Sequence, residues 1–418
     1  MSRSVPRWRG WAVVAGLVVA ALVLAGPSSQ AQAQTFDDTI QRALNGGCDG
    51  LNGPKQGALA SNCELSGPSG PAGAGSSSGG SIATQTVRQQ GADERRIRLH
   101  LEEQRQARGE GGGLAASADP GFQIGKLGLF ATAEGDWVHK DVTRFESGFT
   151  SQAGGVTVGA DYALLRWLTA GLALSYLNTH GDFNSNNGNF TTNAFGVTLY
   201  GSVTPLPNLF VDGTVGYTRR DYEVERRASY FNSTTAPVIA ANGFVKGDTT
   251  GNEFRTSVLT GYDFVLRALT VGPRVGVNYS TNDIDSFTER NFSPPHTDTG
   301  LQLAYNAQHR ESLTTTVGAF ASYALSTGIG VFVPQLNAEW VHEYYDNQRV
   351  IYFRFREDLG NTKLRFQTDA PTRNYGNVGT GVVLVLAKGM QVFLSFRALV
   401  GYDDRQAYTA NGGIRIGF

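Results

Sequence analysis

From Leu127 to the last residue, apolar side chains return at every second position, and this spacing limits the chain to β-strands with one oily face. In the closing stretch, Tyr408, Ala410, Gly412, Ile414, Ile416 and Phe418 share one face, and Thr409, Asn411, Gly413, Arg415 and Gly417 the other. The same alternation runs through Gly154, Val156, Val158, Ala160 and Tyr162, through Leu172, Leu174 and Tyr176, and through Val271, Pro273, Val275, Val277 and Tyr279. It recurs in Phe332, Leu336, Ala338 and Trp340, and in Val392, Leu394, Phe396, Ala398, Val400 and Tyr402, where Phe393 and Leu399 interrupt it. A strand cannot bury such a face alone, so either a protein core or a bilayer must cover it.

The connections decide between these two. Short ones lie near Leu164 to Trp167, Thr204 to Asn208, Leu266 to Ala268, Leu325 to Gly328 and Ala387 to Gly389. Long polar ones alternate with them, at Lys140 to Ser151, Thr179 to Phe190, Glu223 to Asn252, Thr281 to Glu311 and Asp346 to Asn374. Short turns at one end and long loops at the other are the rhythm of a transmembrane barrel, and the spacing leaves about twelve strands, an even number as bacterial barrels require. Trp137, Tyr162, Tyr176, Tyr217, Tyr262, Tyr279, Tyr344 and Tyr402 fall near strand ends, as interface girdles do. The fold class expected is therefore all-β: an antiparallel transmembrane β-barrel. A soluble sandwich or propeller also alternates, but lacks the long and short rhythm, and no fixed repeat marks propeller blades. Slightly negative mean hydropathy agrees with a barrel whose alternate residues face a wet lumen, and a net charge of -1 gives no reason to expect nucleic acid.

The N-terminus has the form of an export signal, residues 1–33. Arg3, Arg7 and Arg9 precede an apolar run from Trp11 to Ala25, Pro27 breaks it, and Ala31-Gln32-Ala33 offers a small-x-small cleavage site. Residues 34–66 then carry both cysteines, Cys48 and Cys63. In an exported chain such a pair is expected to form a disulfide that stabilises by about 3 kcal/mol in the chain-entropy model. Residues 67–83 form a Gly/Ser/Pro-rich linker, and residues 84–108 form a helix polar nearly all round, with Val87, Ile97, Leu99 and Leu101 as its large aliphatic residues. Such a helix needs a wet setting, either a solvated periplasmic spacer or a water-filled lumen.

No catalytic, cofactor or metal site is expected. The 6 histidines are scattered without ligand spacing, no phosphate-binding loop is present, and Gly75-Ser76-Ser77-Ser78-Gly79 lacks the strand and helix that a nucleophile elbow requires. The candidate functional residues are instead those whose phase points into the lumen: Glu134, Asp136, Asp161, Asp212, Arg220, Arg255, Arg274, Glu339, Arg397 and Arg415. Such mixed charge can hold a polar helix by ion pairs or stand as solvated lumen charge.

Residues 121–418 resemble the autotransporter β-domain of type V secretion. The resemblance rests on Val333-Pro334-Gln335-Leu336-Asn337-Ala338-Glu339-Trp340-Val341-His342-Glu343-Tyr344, on Asp369-Ala370-Pro371-Thr372-Arg373-Asn374-Tyr375, and on the strand closing at Phe418. It implies a twelve-stranded outer-membrane barrel whose pore holds a helix, matched in position by residues 84–108. It further implies that Ile414, Ile416 and Phe418 form the signal read by the barrel-assembly machinery. The partners implied are outer-membrane lipid, that machinery and the Sec export machinery, with a monomer as the working unit. Two departures stand out: only residues 34–83 are available as a passenger, and residues 84–108 contain no Asn for the self-cleavage some members perform. The expected function is translocation, display or anchoring of this small segment at the cell surface, with a small pore or a loop-based adhesin as alternatives.

Overall fold

The computed structural model describes residues 36, 39–40, 42–44, 48–66, 71–75, 97, 101, 126–232, 239–292, 298–386 and 390–417. The signal region, Phe418 and all of residues 84–108 except Ile97 and Leu101 lie outside them.

β-branched and aromatic residues on alternate positions favour pleated strands, whose two faces then meet different solvents. The strands are β1 (Leu127–Lys140), β2 (Phe149–Leu165), β3 (Leu168–Phe183), β4 (Gly188–Leu206), β5 (Leu209–Asn232), β6 (Ile239–Tyr262), β7 (Leu269–Ile284), β8 (Gln308–Tyr323), β9 (Gly330–Glu343), β10 (Asn374–Val385), β11 (Gln391–Val400) and β12 (Arg405–Gly417). Each pairs antiparallel with its sequence neighbours. β1 closes on β12 in a register running from Gly128 opposite Gly417 to Lys140 opposite Arg405. The result is a closed 12-strand antiparallel barrel without a free edge along its wall.

The outward face marks the membrane. On β5, Val215 and Tyr217 are exposed and are followed on the same face by Arg219, Asp221 and Glu223; on β3, Leu172, Leu174 and Tyr176 give way to Asn178, His180 and Asp182. Trp137, Tyr176, Tyr217 and Tyr344 stand at this outer edge, and Tyr162, Trp167, Tyr262 and Tyr323 at the edge by the short turns. Tyr402 departs from the sequence expectation. Gly401 takes a positive φ of 70° just after Val400, which breaks the alternation, and Tyr402 turns inward against Tyr375.

Several segments expected as polar loops are strands that continue past the bilayer. β5 and β6 each run 24 residues, about 80 Å at the usual rise, whereas about ten tilted residues suffice to cross. Phe287–Thr288, Leu303–Tyr305, Val350–Phe355 and Leu364–Gln367 form a separate four-stranded antiparallel sheet above the barrel mouth. Part of the expected linker is also ordered as strand: Pro71–Gly75 pairs with β5 between Ser229 and Asn232, on the edge that β4 leaves open.

Candidate functional site

The lumen is built from the strand phase opposite the lipid. At the short-turn end, Phe130, Ala173 and Tyr200 point inward and bury Ile97 and Leu101, two helical residues one turn apart. Gly159 and Gly171 make room for these rings. A Cβ on Gly171 would stand 2.2 Å from Tyr200, and one on Gly159 2.4 Å from Phe130. Val333, Val383, Val385 and Phe393 form a second inward apolar cluster near the turns, so Phe393, an exception to its strand's outward phase, packs inside.

The charges follow as paired groups. Arg415 Nη2 meets Asp161 Oδ1 at 3.2 Å, Arg274 Nη2 donates to Asp263 Oδ1 at 2.6 Å, and Arg397 Nη2 donates to Glu339 Oε2 at 2.6 Å. The Arg274 guanidinium also lies between the Phe210 and Phe320 rings, 4.7 and 5.0 Å from their centroids. Glu253 receives Arg255 at 2.6 Å on one oxygen and Arg220 on the other. Glu134 and Asp212 are buried on the same inner face, and Asp136 accepts from Thr409 Oγ1. Among the sequence-derived lumen residues, Asp161 pairs with Arg415 and Glu339 with Arg397, while Arg274 meets Asp263 and Arg220 and Arg255 share Glu253. On the last strand Ile414 is exposed on the outer wall and Ile416 is partly so, while Phe418 is outside the described residues.

Above the membrane band the packing inverts. Phe36, Ile40, Leu44, Leu51 and Leu59 from the N-terminal segment share one buried core with Phe287, Leu303, Tyr305, Ile351, Phe353, Phe355 and Phe366 from the loops. Phe149, Phe183 and Phe190 at the ends of β2, β3 and β4 floor this core. Cys48 and Cys63 are joined by a disulfide, with Cys63 on helix α1 (Gly57–Ser66). Leu59, Asn62 and Cys63 occupy the buried face of α1, at the spacing that brings helix side chains onto one face. Main-chain bonds tie the segment down: Gln56 N to Glu357 O at 3.1 Å and Leu359 N to Pro54 O at 3.0 Å. Side chains add Leu59 N to Glu357 Oε2 at 2.9 Å, Asn62 Nδ2 to Thr299 O at 2.6 Å and Asn52 N to Thr362 Oγ1 at 2.7 Å. Contact at Gly360 is so close that a Cβ there would fall 1.3 Å from Asn52 O.

Buried charges also hold the cap. Arg226 forks onto Glu289, Nε to Oε1 at 2.7 Å and Nη2 to Oε2 at 2.6 Å, and bonds Leu301 O at 2.6 Å. Burial, with Glu289 alongside, pushes the Tyr305 phenol well above its ordinary range. Lys140 is fully enclosed, bonded to Asp369 at 2.7 Å and Asp404 at 2.6 Å with Glu146 at 3.4 Å. Sequence reasoning missed Arg226, Glu289, Lys140 and Phe393. The first two sit in segments assigned to loops, and in a third such segment Ile351, Phe353 and Phe355 alternate as plainly as any membrane strand.

A closed antiparallel barrel with an apolar outer band, aromatic edges and a charged inner face is an outer-membrane β-barrel, and here it carries helical residues inside its pore. The family model described as the autotransporter beta-domain matches residues 129–397, and the chain belongs to that family of type V secretion barrels. Among solved structures, the translocator domain of the autotransporter NalP from Neisseria meningitidis aligns with a TM-score of 0.54 at 15% identity, over 78% of this chain and 98% of that one. The beta domain of the Bordetella autotransporter BrkA gives 0.49 at 16% identity, over 70% of this chain and 100% of that one. The transport unit of AIDA-I from Escherichia coli gives 0.44 at 15%, over 74% and 99%. The NalP likeness is one of fold. A comparison with curated proteins gave no match.

Proposed function

We propose that this autotransporter barrel keeps its own N-terminal segment, residues 34–66, at the cell surface as a cap docked over the outer mouth. The observation that carries this is the single apolar core shared by Phe36, Ile40, Leu44, Leu51 and Leu59 with loop residues at the end opposite the short turns. In a bacterial barrel the long loops face outward, so a segment packed on them stands outside the cell. The burial of Ile97 and Leu101 against the lumen wall supports reading residues 84–108 as a pore helix. Export through the Sec machinery after cleavage near Ala33, and insertion by the barrel-assembly machinery reading Ile414, Ile416 and Phe418, complete the route. The chain acts as a monomer with no catalytic role. Anchoring is favoured over release, because leaving would expose the whole shared core. The open-pore reading has less support, since side chains already fill the lumen at Ile97 and Leu101.

Protease shaving of intact cells tests this, with an epitope inserted at Asp49-Gly50. Antibody access to whole cells, retained after a wash, is expected. A tag reached only after the outer membrane is permeabilised overturns display, and one found in the medium overturns anchoring. Planar-bilayer conductance is expected to be low for the intact chain and to rise when residues 34–108 are deleted.

A further inference from the structure

An inward-facing guanidinium of the outer lumen holds a nitrogen without an acceptor among the described residues. Arg310, near the outer end of β8, is 5% exposed, and its Nη1 is buried without a hydrogen-bond partner. Its cross-strand neighbour on the inner face, Asn282 of β7, is fully buried with both amide atoms unbonded. Burying an unpaired polar group costs roughly 1–3 kcal/mol, and a charged one more, so this pairing of vacancies is not neutral. The nearby carboxylates are turned elsewhere. Glu343 accepts from Ser312 Oγ and from the amides of Leu313 and Tyr345, while Asp369 and Asp404 are held by Lys140.

Arg310 faces a cavity of about 230 Å³ in the outer half of the lumen, far above the ~10–15 Å³ that a single water needs. Arg405 lines the same cavity. It lies against the Tyr402 ring at 5.1 Å, with Nε buried and unbonded and only a 3.9 Å approach to Asp404. Arg349 and Arg405 are both within electrostatic reach of Arg310. The rest of the wall is partly apolar, with Val341, Leu399 and Tyr375, and Phe149 and Phe190 roof it from the cap core.

We propose that this cavity is a binding site for a small organic carboxylate, whose oxygens pair with Arg310 and Arg405 and whose apolar body lies against Val341, Leu399 and Tyr375. A planar carboxylate matches the fork of a guanidinium, and both arginines line this one cavity. The half-apolar wall favours an organic body over a bare inorganic ion. This reading stands on the barrel alone and does not depend on the side of the membrane on which the cap lies.

The test uses the purified full-length chain in detergent, with benzoate as probe and inorganic phosphate as the second arm, followed by calorimetric titration and melting temperature. Benzoate is expected to bind and to raise the melting temperature, and Arg310→Gln is expected to weaken it by roughly tenfold to a hundredfold, as loss of a charged hydrogen bond does. Arg219→Gln, an exposed change on the outer wall, is expected to leave binding unchanged. Because Arg310→Gln could alter folding, Arg405→Lys is measured beside it and is expected to weaken binding while the barrel remains heat-modifiable on gels. No binding of benzoate at millimolar concentration overturns the proposal, as does equal binding by the wild type and Arg310→Gln. Phosphate binding as tightly as benzoate overturns the organic class and leaves a bare anion site.

Discussion

In the membrane band the apolar side chains point out and the charges point in, whereas in the cap a large apolar core points in. Leu172, Leu174, Val215 and Tyr217 are exposed on the barrel wall, while Leu44, Leu59, Leu303, Phe353 and Phe355 are buried almost completely. The same chain therefore solves two solvent problems. In lipid the wall is held by an unbroken hydrogen-bond ladder with no edge, and in water the cap is held by the hydrophobic effect acting on about two dozen side chains. If these are separate sources of stability, the cap can be lost while the barrel stands.

The sharpest way to break that separation is the Arg226–Glu289 pair, because β5 is a barrel strand and Glu289 belongs to the cap. Arg226→Met leaves Glu289 buried without its fork, a change that costs about 3–5 kcal/mol in comparable buried pairs. Limited proteolysis is expected to cut residues 287–303 and the N-terminal segment, with the barrel still shifting on gels only after heating. Collapse of the heat-resistant barrel in this variant would show one cooperative unit instead of two. Next in size is the disulfide. Cys48→Ser with Cys63→Ser is expected to cost the cap about 3 kcal/mol in the chain-entropy model, read as a lower midpoint for protease cleavage of residues 34–66. An unchanged midpoint would mean that docking on the loops alone fixes the segment.

A smaller effect probes the contact itself. Gly360→Ala places a methyl 1.3 Å from Asn52 O, so one of the two backbones must move, and overpacking of this kind typically costs about 1–3 kcal/mol. The expected result is loss of protection at the amides of Gln56 and Leu359, which bond across this junction, in hydrogen exchange. Protection equal to wild type would place the junction's stability elsewhere in the core.

The contrast between the regions also explains what the sequence could convey. The barrel wall was legible because lipid imposes period two on every strand, and the phase of Glu134, Asp161, Arg274 and Arg415 followed from it. Arg310 has that same phase with Thr314 and Thr316, but it fell in a segment assigned to a loop, since the strand carries on past the bilayer where the outer face turns polar. The cap was not legible for a different reason. Leu59 and Phe355 share one core across nearly three hundred positions of sequence, as the Leu59 amide bonding Glu357, 298 residues away, illustrates, and nothing local in either segment announces the other. Tyr402 went astray through a single residue, the positive-φ Gly401, which breaks the alternation between the last two strands.

The weakest of the expected effects is one of pH and is confined to the cap. Asp298 accepts from Gln302 Nε2 at 2.7 Å and from Gly300 N at 3.0 Å, shaping the turn whose Thr299 carbonyl receives Asn62 of the N-terminal segment. Burial opposes its charge, but the hydrogen bonds from Asn291, Gln302 and Gly300 outweigh it and hold the carboxyl below its ordinary 3.8. A carboxyl depressed on folding takes up protons more readily when unfolded, so its contribution is fully present above the ordinary value and is lost as pH falls through the lower folded one. Cap cleavage by pepsin, which works in that acid range, is therefore expected to rise as pH drops below the ordinary carboxylate range. In Asp298→Asn the same rise should be smaller, because the titrating group is gone, and an equal rise in both proteins would assign the acid sensitivity to another carboxylate of the cap.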